Sequence, residues 1–199
     1  MPNTDIFGKM MKMEIKIASL PDRENLVAEL WYDKVQWCEI SQELNELILE
    51  IYPSLTGKPW TFQFEEALEF LQRAERRMAS LGEPLLRQKI EPSSFVKQVA
   101  QMEADPAIRM EIKITSVPDR KNLVAELWYD KVMWAEISQE ESKSMLEIYP
   151  HPMGKQWIFK FSEVLEFLQQ AKRKLASLDP PQPKRSPHRT EIEQPSFAK

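Results

Sequence analysis

Glutamates in two aromatic-rich segments are the side chains of this sequence best suited to chemistry. Glu29 and Glu39 lie in the first segment, and Glu126 and Glu136 lie in the second, 97 positions later. A carboxyl group in an apolar pocket can act as a general acid while an ionised neighbour acts as the base. One functional hypothesis is therefore an enzyme, or the accessory subunit of one, with a carboxylate site between the two segments.

Cysteine and histidine are too rare to support a nucleophilic or metal site. The chain has one cysteine, Cys38, and two histidines, His151 and His188, which are far apart in sequence. A disulfide scaffold or a zinc site needs several such residues, and the four scattered glycines form no phosphate-binding loop. We expect no metal and no cofactor, and we expect Cys38 to be a small buried hydrophobic residue.

The overall composition of the 199 residues argues against membrane insertion and nucleic-acid binding. The formal net charge is −4, whereas nucleic-acid binding proteins are usually basic. No apolar run approaches the roughly 18 residues of a membrane helix, and the N-terminus lacks the apolar stretch of a signal peptide. The composition therefore predicts a cytoplasmic protein.

An internal duplication is the strongest pattern in the sequence. Met13–Leu81 aligns without a gap to Met110–Leu178, with 47 of 69 positions identical. This identity is far beyond chance, so the chain contains two copies of one unit, which we call copy 1 and copy 2. Identity between copies does not mark functional residues, because a recent duplication preserves nearly everything.

Differences between the copies are more informative, and they cluster at one strand start and one loop. They are consistent either with two different binding surfaces on one framework or with drift after duplication. The candidate specificity positions are Leu44, Asn45, Glu46, Ser54 and Thr56 in copy 1, and Glu141, Ser142, Lys143, His151 and Met153 in copy 2.

Apolar periodicity predicts an α+β fold for each copy. The period is close to 2 and then switches to 3.6, which indicates four or five antiparallel strands followed by one amphipathic helix packed on the sheet. In copy 2 we expect Ser162 to cap this helix. The strands predicted in copy 1 are 14–18, 25–32, 35–42, 46–52 and 60–64, and the helix begins at Glu65.

A two-residue turn at Asp33-Lys34 sets the register expected for the second and third strands. Uninterrupted alternation from this turn places Glu29 and Trp31 on one face of the hairpin, and Trp37 and Glu39 on the other. In this register Glu29 and Glu39 point away from each other, which argues against an acid–base pair.

The remaining segments divide the chain into five parts. Residues 1–12 form an N-terminal extension, and repeat unit 1 covers 13–81. Residues 82–109 form a linker in which 93–102 has the pattern of a short helix with a serine cap. Repeat unit 2 covers 110–178, and the Pro-rich, basic tail at 179–199 is expected to be disordered.

Aromatic residues and charge favour protein binding over catalysis. Copy 1 has 7 basic and 13 acidic side chains, whereas copy 2 has 10 of each. An acidic unit repels phosphate but suits a basic protein surface, such as the active-site cleft of a nuclease. We therefore expect a non-enzymatic module that binds another protein, with an immunity or antitoxin-like inhibitor as its concrete form. The candidate binding residues are Glu29, Trp31, Glu39, Glu126, Trp128 and Glu136.

A third hypothesis is structural. The two copies would then pack as an intrachain pseudo-dimer that imitates a dimer of single units.

Overall fold

The computed structural model describes the two repeat units with short gaps. Several predictions therefore lie outside the described residues: nearly all of the N-terminal extension, the linker with the helix predicted at 93–102, the tail with His188, and the candidate specificity positions Leu44, Asn45, Glu141 and Ser142. The described residues are 12–21, 23, 25–43, 46–81, 110–118, 120–140 and 143–178.

Each copy contains five strands followed by one helix, which confirms the predicted α+β class. Copy 1 contains β1 (Met13–Ser19), β2 (Leu26–Tyr32), β3 (Val35–Glu43), β4 (Glu46–Ile51), β5 (Trp60–Gln63) and α1 (Phe64–Ala79). Copy 2 contains β6 (Met110–Ser116), β7 (Leu123–Tyr129), β8 (Val132–Glu140), β9 (Lys143–Ile148), β10 (Trp157–Lys160) and α2 (Phe161–Leu178).

The two copies exchange their last strands. One antiparallel sheet has the order β1-β2-β3-β4-β10, and the other has the order β5-β9-β8-β7-β6. Phe159 of β10 lies opposite Leu49 of β4, and Phe62 of β5 lies opposite Leu146 of β9. Each sheet therefore contains four strands of one copy and the fifth strand of the other, an arrangement that the repeat boundaries did not reveal.

Aromatic packing links the exchanged strands back to their own copies. The buried ring of Phe62 lies 5.0 Å from the ring of Tyr32 and 4.8 Å from that of Trp37, both in copy 1. The backbone of Phe62 is meanwhile paired with β9 of copy 2. Phe159 repeats this packing in copy 2, and the buried apolar residues of both copies form one core.

Both helices bridge the two sheets. The helix α1 contacts β2 of the first sheet and β5 and β9 of the second, whereas α2 contacts β4 and β10 of the first sheet and β6 and β7 of the second. Their apolar side chains recur every three or four residues and form one buried stripe. Because α2 begins at Phe161, Ser162 lies in its first turn, and the predicted cap is wrong. In the described part of the chain no helix is long and apolar enough to span a membrane.

The turn between β2 and β3 has two residues, as predicted. Asp33 has a φ of 44° and Lys34 a φ of 71°, and Asp130 and Lys131 adopt similar values in copy 2. Two successive residues with positive φ match the mirror-image turns whose twist suits antiparallel hairpins.

A β-bulge after this turn makes the predicted register wrong. Trp31 lies opposite Gln36, but Leu30 lies opposite Cys38, so Trp37 is the extra residue of β3. The Trp37 carbonyl instead accepts a hydrogen bond from the backbone N–H of Tyr52, at 2.9 Å. The extra residue shifts the alternation by one position, which brings Glu39 directly opposite Glu29 on the same face of the sheet. Copy 2 has the same bulge.

Replacing Phe62 by alanine tests whether the core is shared. We expect Phe62→Ala to lower the free energy of unfolding by about 3–5 kcal/mol, because a fully buried ring is lost. The control is Leu55→Ala, at a side chain 88% exposed in a loop of the same copy, with an expected change within about 0.5 kcal/mol. Urea denaturation followed by fluorescence and circular dichroism should give one transition for both copies. Two separate transitions, with only one shifted by Phe62→Ala, would contradict a shared core.

Candidate functional site

A row of charged residues crosses each sheet on the face opposite the shared core. Each residue of the row lies directly opposite the next one on the adjacent strand. Across the sheet, one lysine is therefore followed by three carboxylates on successive strands. We call each set a carboxylate row; the rows are Lys16, Glu29, Glu39 and Glu50 in copy 1, and Lys113, Glu126, Glu136 and Glu147 in copy 2. Like charges opposite each other destabilise a sheet, so the rows need compensating groups.

An arginine supplies this compensation in copy 1. The Nε of Arg23 donates a hydrogen bond to Oε1 of Glu39 at 3.0 Å, and its Nη2 donates to Glu50. The Tyr52 hydroxyl donates to the second oxygen of Glu39 at 3.2 Å. The side chains are nearly inaccessible to solvent, with 6% exposure for Arg23, 2% for Glu39 and 3% for Glu50. Burying a charge is costly unless it is paired, so the burial of Arg23, Glu39 and Glu50 depends on the ion pairs between them.

The equivalent arginine in copy 2 is more open to solvent. Arg120 lies 3.3 Å from Glu136 and 2.6 Å from Glu147. The exposed fractions of the Arg120 and Glu147 side chains are 25% and 20%. The Tyr149 hydroxyl donates to Glu147 at 3.3 Å, rather than to the middle carboxylate of the row. Identical residues therefore form a tight ion-pair cluster in copy 1 and a looser one in copy 2.

Burial raises the pKa values of several groups in these clusters. Desolvation raises the pKa of Glu136, Arg120 opposes the shift, and the neighbouring Glu147 and Glu126 add to it. Desolvation and the negative charges of the row also raise the pKa of both tyrosines, Tyr52 and Tyr149. The tyrosine hydroxyls therefore stay protonated and act as hydrogen-bond donors, not as bases.

A second group of contacts lies at the start of each row. The indole N–H of Trp31 donates to Oε2 of Glu29 at 3.2 Å, and Nζ of Lys16 lies 4.0 Å from the centre of the indole ring. Lys16 is exposed, while Trp31 and Glu29 are half-buried. We call this set the Lys–Trp–Glu cluster. Copy 2 has the same cluster in Lys113, Trp128 and Glu126.

The predicted binding residues therefore divide into two groups. Trp31 and Glu29 contact each other at partly exposed positions, as do Trp128 and Glu126. Glu39 and Glu136 are buried in ion pairs with an arginine instead. Sequence reasoning missed the remaining members of the clusters. Lys16 and Lys113 depend on the pairing of β1 with β2 and of β6 with β7, whereas the other members follow from the bulge and from the pairing of the next strand: Arg23, Glu50, Tyr52, Arg120, Glu147 and Tyr149.

Two of the differences between the copies preserve the same turn. In copy 1 the Ser54 hydroxyl accepts a hydrogen bond from the backbone N–H of Thr56 at 3.3 Å. In copy 2 Nδ1 of His151 accepts one from the backbone N–H of Met153 at 3.1 Å. The imidazole also packs 4.5 Å from the ring of Trp157. His151 thus closes a turn and packs on an aromatic ring. The other candidate specificity positions that the structure describes, Glu46 and Lys143, begin β4 and β9.

Metal-ligand and thiol chemistry receive no support from the described residues. Within these ranges no group of three or more His, Cys, Asp or Glu side chains is arranged to hold a metal ion. Cys38 is fully buried between Leu30 and Ile51, which confirms the predicted hydrophobic role. Burial and the adjacent Glu39 raise the pKa of its thiol, so the reactive thiolate is disfavoured.

Removing the arginine from each cluster should affect the two copies unequally. We expect Arg23→Ala to cost about 3–5 kcal/mol of unfolding free energy, because two buried carboxylates lose a shared cation. Arg120→Ala should cost about 1–2 kcal/mol, because water reaches that cluster. Urea denaturation of both variants at neutral pH measures the difference. Equal losses of unfolding free energy in the two variants would show that burial does not determine how much these ion pairs stabilise the protein.

The raised pKa of Glu136 predicts a specific pH dependence. Because the folded protein holds this proton more tightly than the unfolded chain, the stabilisation is full below the ordinary glutamate pKa of 4.5. It is lost as the pH rises through the higher pKa of the folded state. The variant Glu136→Gln lacks this titration, so its stability relative to the natural protein should increase between about pH 4 and pH 7. Urea denaturation across this range tests the sign, and a relative decrease would contradict it.

Comparison with known proteins identifies no relative for this arrangement. No protein-family model matches the chain, and neither the curated proteins nor the solved structures include a significant match.

Proposed function

We propose that this protein is a non-enzymatic module that binds another protein through the Lys–Trp–Glu clusters of its two sheets. The observation that carries the proposal is the half-buried indole of Trp31, held between the Lys16 ammonium and the Glu29 carboxylate, and its repetition at Trp128. Each tryptophan presents a large apolar surface beside charges of both signs.

The geometry of the cluster suits an anchor for a protein partner. Tryptophan is enriched among the residues that dominate interface energies, and a side chain that is ordered before binding loses less entropy. The hydrogen bond to Glu29 and the cation above the ring restrict the orientation of Trp31 before any partner arrives. The exposed Lys16 and the carboxylate give the surrounding surface polar groups that can select a partner.

The charge of copy 1 favours a basic partner surface. Copy 1 carries a net charge of −6, and Glu14, Glu65 and Glu69 are exposed. We propose an immunity or antitoxin-like inhibitor as the specific role, with copy 1 covering the basic cleft of a nuclease in the cytoplasm. Complementary charge would speed the encounter and make it sensitive to salt.

The carboxylate-enzyme hypothesis has less support. Glu39 and Glu50 share the guanidinium of Arg23, and a tyrosine hydroxyl occupies another oxygen of Glu39. A general acid or base needs to reach a substrate proton, and these groups are directed to internal partners. The pseudo-dimer hypothesis remains compatible with binding, because each sheet carries one cluster, on β1 and β2 or on β6 and β7.

Affinity capture with the full chain tests the proposed function. The immobilised protein should recover one protein in a 1:1 ratio from its native cell, and Trp31→Ala or Glu29→Lys should reduce the affinity of the purified pair at least about tenfold. Trp128→Ala serves as the matched variant in the less acidic copy, and Leu55→Ala as the surface control. If the captured protein is a nuclease, its activity should fall in proportion to the bound inhibitor.

The stability of each variant is measured alongside its affinity, so that loss of the fold is not mistaken for loss of the interface. A partner that binds Trp31→Ala and Trp128→Ala as well as the natural protein would contradict the role of the clusters. Failure to recover any protein in a fixed ratio would contradict the binding function itself.

A further inference from the structure

Among the described residues, two ion pairs connect the copies across the exchanged elements. Nζ of Lys160, the last residue of β10, lies 3.0 Å from an oxygen of Glu46, the first residue of β4. Lys172 of α2 pairs with Glu65 in the first turn of α1. Each pair joins a basic residue of copy 2 to an acidic residue of copy 1, and we call them the seam pairs.

The second junction has a different composition at the same positions. With the offset of 97, Gln63 takes the place of Lys160 and Lys143 takes the place of Glu46. The register of β5 on β9 is equivalent to that of β10 on β4. The equivalent register therefore places the Gln63 amide towards Lys143, at a position where a second lysine would be repelled.

The helix contact shows the same substitution pattern. The position equivalent to Lys172 is Glu75, and the position equivalent to Glu65 is Ser162. The pseudo-symmetric pair of positions therefore combines a carboxylate with a neutral hydroxyl instead of two like charges.

Pairing of identical copies would place like charges together. Two units of copy 2 would bring Lys160 against Lys143 at both strand junctions. Two units of copy 1 would bring Glu75 against Glu65 at both helix contacts. Of the three combinations, only copy 1 with copy 2 has an attractive pair at each kind of contact and a repulsive pair at neither.

We propose that these positions form a charge code that specifies pairing of copy 1 with copy 2 and rejects pairing of like copies. The code consists of Glu46, Gln63, Glu65 and Glu75 in copy 1, and Lys143, Lys160, Ser162 and Lys172 in copy 2. Specificity of this kind needs repulsion in the wrong complexes as well as attraction in the correct one.

The need for such a code follows from the strand exchange. Because each sheet is completed by a strand from elsewhere in sequence, the same strand could complete a sheet of a second chain. Covalent linkage raises the local concentration of copy 2 around copy 1, but it does not prevent like copies of two different chains from pairing. Charge differences at the junctions disfavour such pairing, which gives the differences at Glu46 and Lys143 a function within the chain.

A double-mutant cycle in the intact chain tests the strand pair. At low salt, Glu46→Lys and Lys160→Glu should each reduce the folding equilibrium constant roughly 3- to 10-fold, and combining them should restore most of the loss. Gln63→Lys should cause a similar reduction at the other junction, whereas Gln63→Ala controls for loss of the amide. Losses that add in the double variant, without restoration, would overturn the proposed attraction.

Reassembly of a cleaved chain tests rejection of like copies. A protease site is inserted within 82–109, the cut protein is unfolded and refolded, and native mass spectrometry counts mixed and like pairs. Random pairing would give about half mixed pairs, whereas we expect mixed pairs in at least about tenfold excess over like pairs. The excess should disappear when copy 2 receives the copy 1 residues, through Lys143→Glu, Lys160→Gln, Ser162→Glu and Lys172→Glu.

A matched control makes the same change of net charge at other exposed positions, through Lys121→Glu, Lys155→Glu and Lys174→Glu. It should keep the excess of mixed pairs. Random pairing of the natural halves, or an unchanged excess after the exchange of all four residues, would overturn the proposal. If the halves do not refold, the double-mutant cycle in the intact chain decides the result.

Discussion

Exchange of β5 and β10 is the constraint on which the rest of the structure depends. Each exchanged strand completes the sheet of the other copy, and its buried phenylalanine packs against aromatic rings of its own copy. The helices begin at the next residue, Phe64 or Phe161, so the exchange also determines where they pack. Since each helix contacts both sheets, the apolar surface of both copies is buried in a single core.

The bulge at Trp37 has a comparable effect on the polar face. One inserted residue turns the tryptophan into the core and brings Glu39 into line with Glu29 and Glu50. Three adjacent carboxylates would destabilise an exposed sheet, and Arg23 makes their burial tolerable by bonding to two of them. The carboxylates nearest the centre of the sheet thereby become structural, while the tryptophan at its start keeps an accessible surface.

Two copies with the same framework have different surroundings. Arg23 and Arg120 occupy equivalent positions, yet the second is four times as exposed as the first, at 25% against 6%. Two of the sequence differences that carry charge, Lys160 and Lys172 of copy 2, form ion pairs with Glu46 and Glu65 of copy 1 beside the exchanged strand and at the helix contact. Duplication thus provides a symmetric scaffold, and a few charged positions make its two halves distinguishable.

Local patterns were sufficient to predict the elements and their order. Alternation and helical periodicity depend on neighbouring residues, so the strands, the Asp33-Lys34 turn and the helices could be recognised from sequence, as could Trp31 and Glu29 as neighbours on the more polar face. The bulge, the cap position of α2 and the choice of sheet for β5 could not be predicted. Each of these features depends on long-range packing, which neighbouring residues in the sequence do not determine. For β5 the choice is especially open, because in a duplicated chain both sheets offer it an edge strand with nearly the same residues. The sequence by itself therefore determined the duplicated α+β unit, and only the tertiary structure decided the exchanged strands and the burial of Glu39.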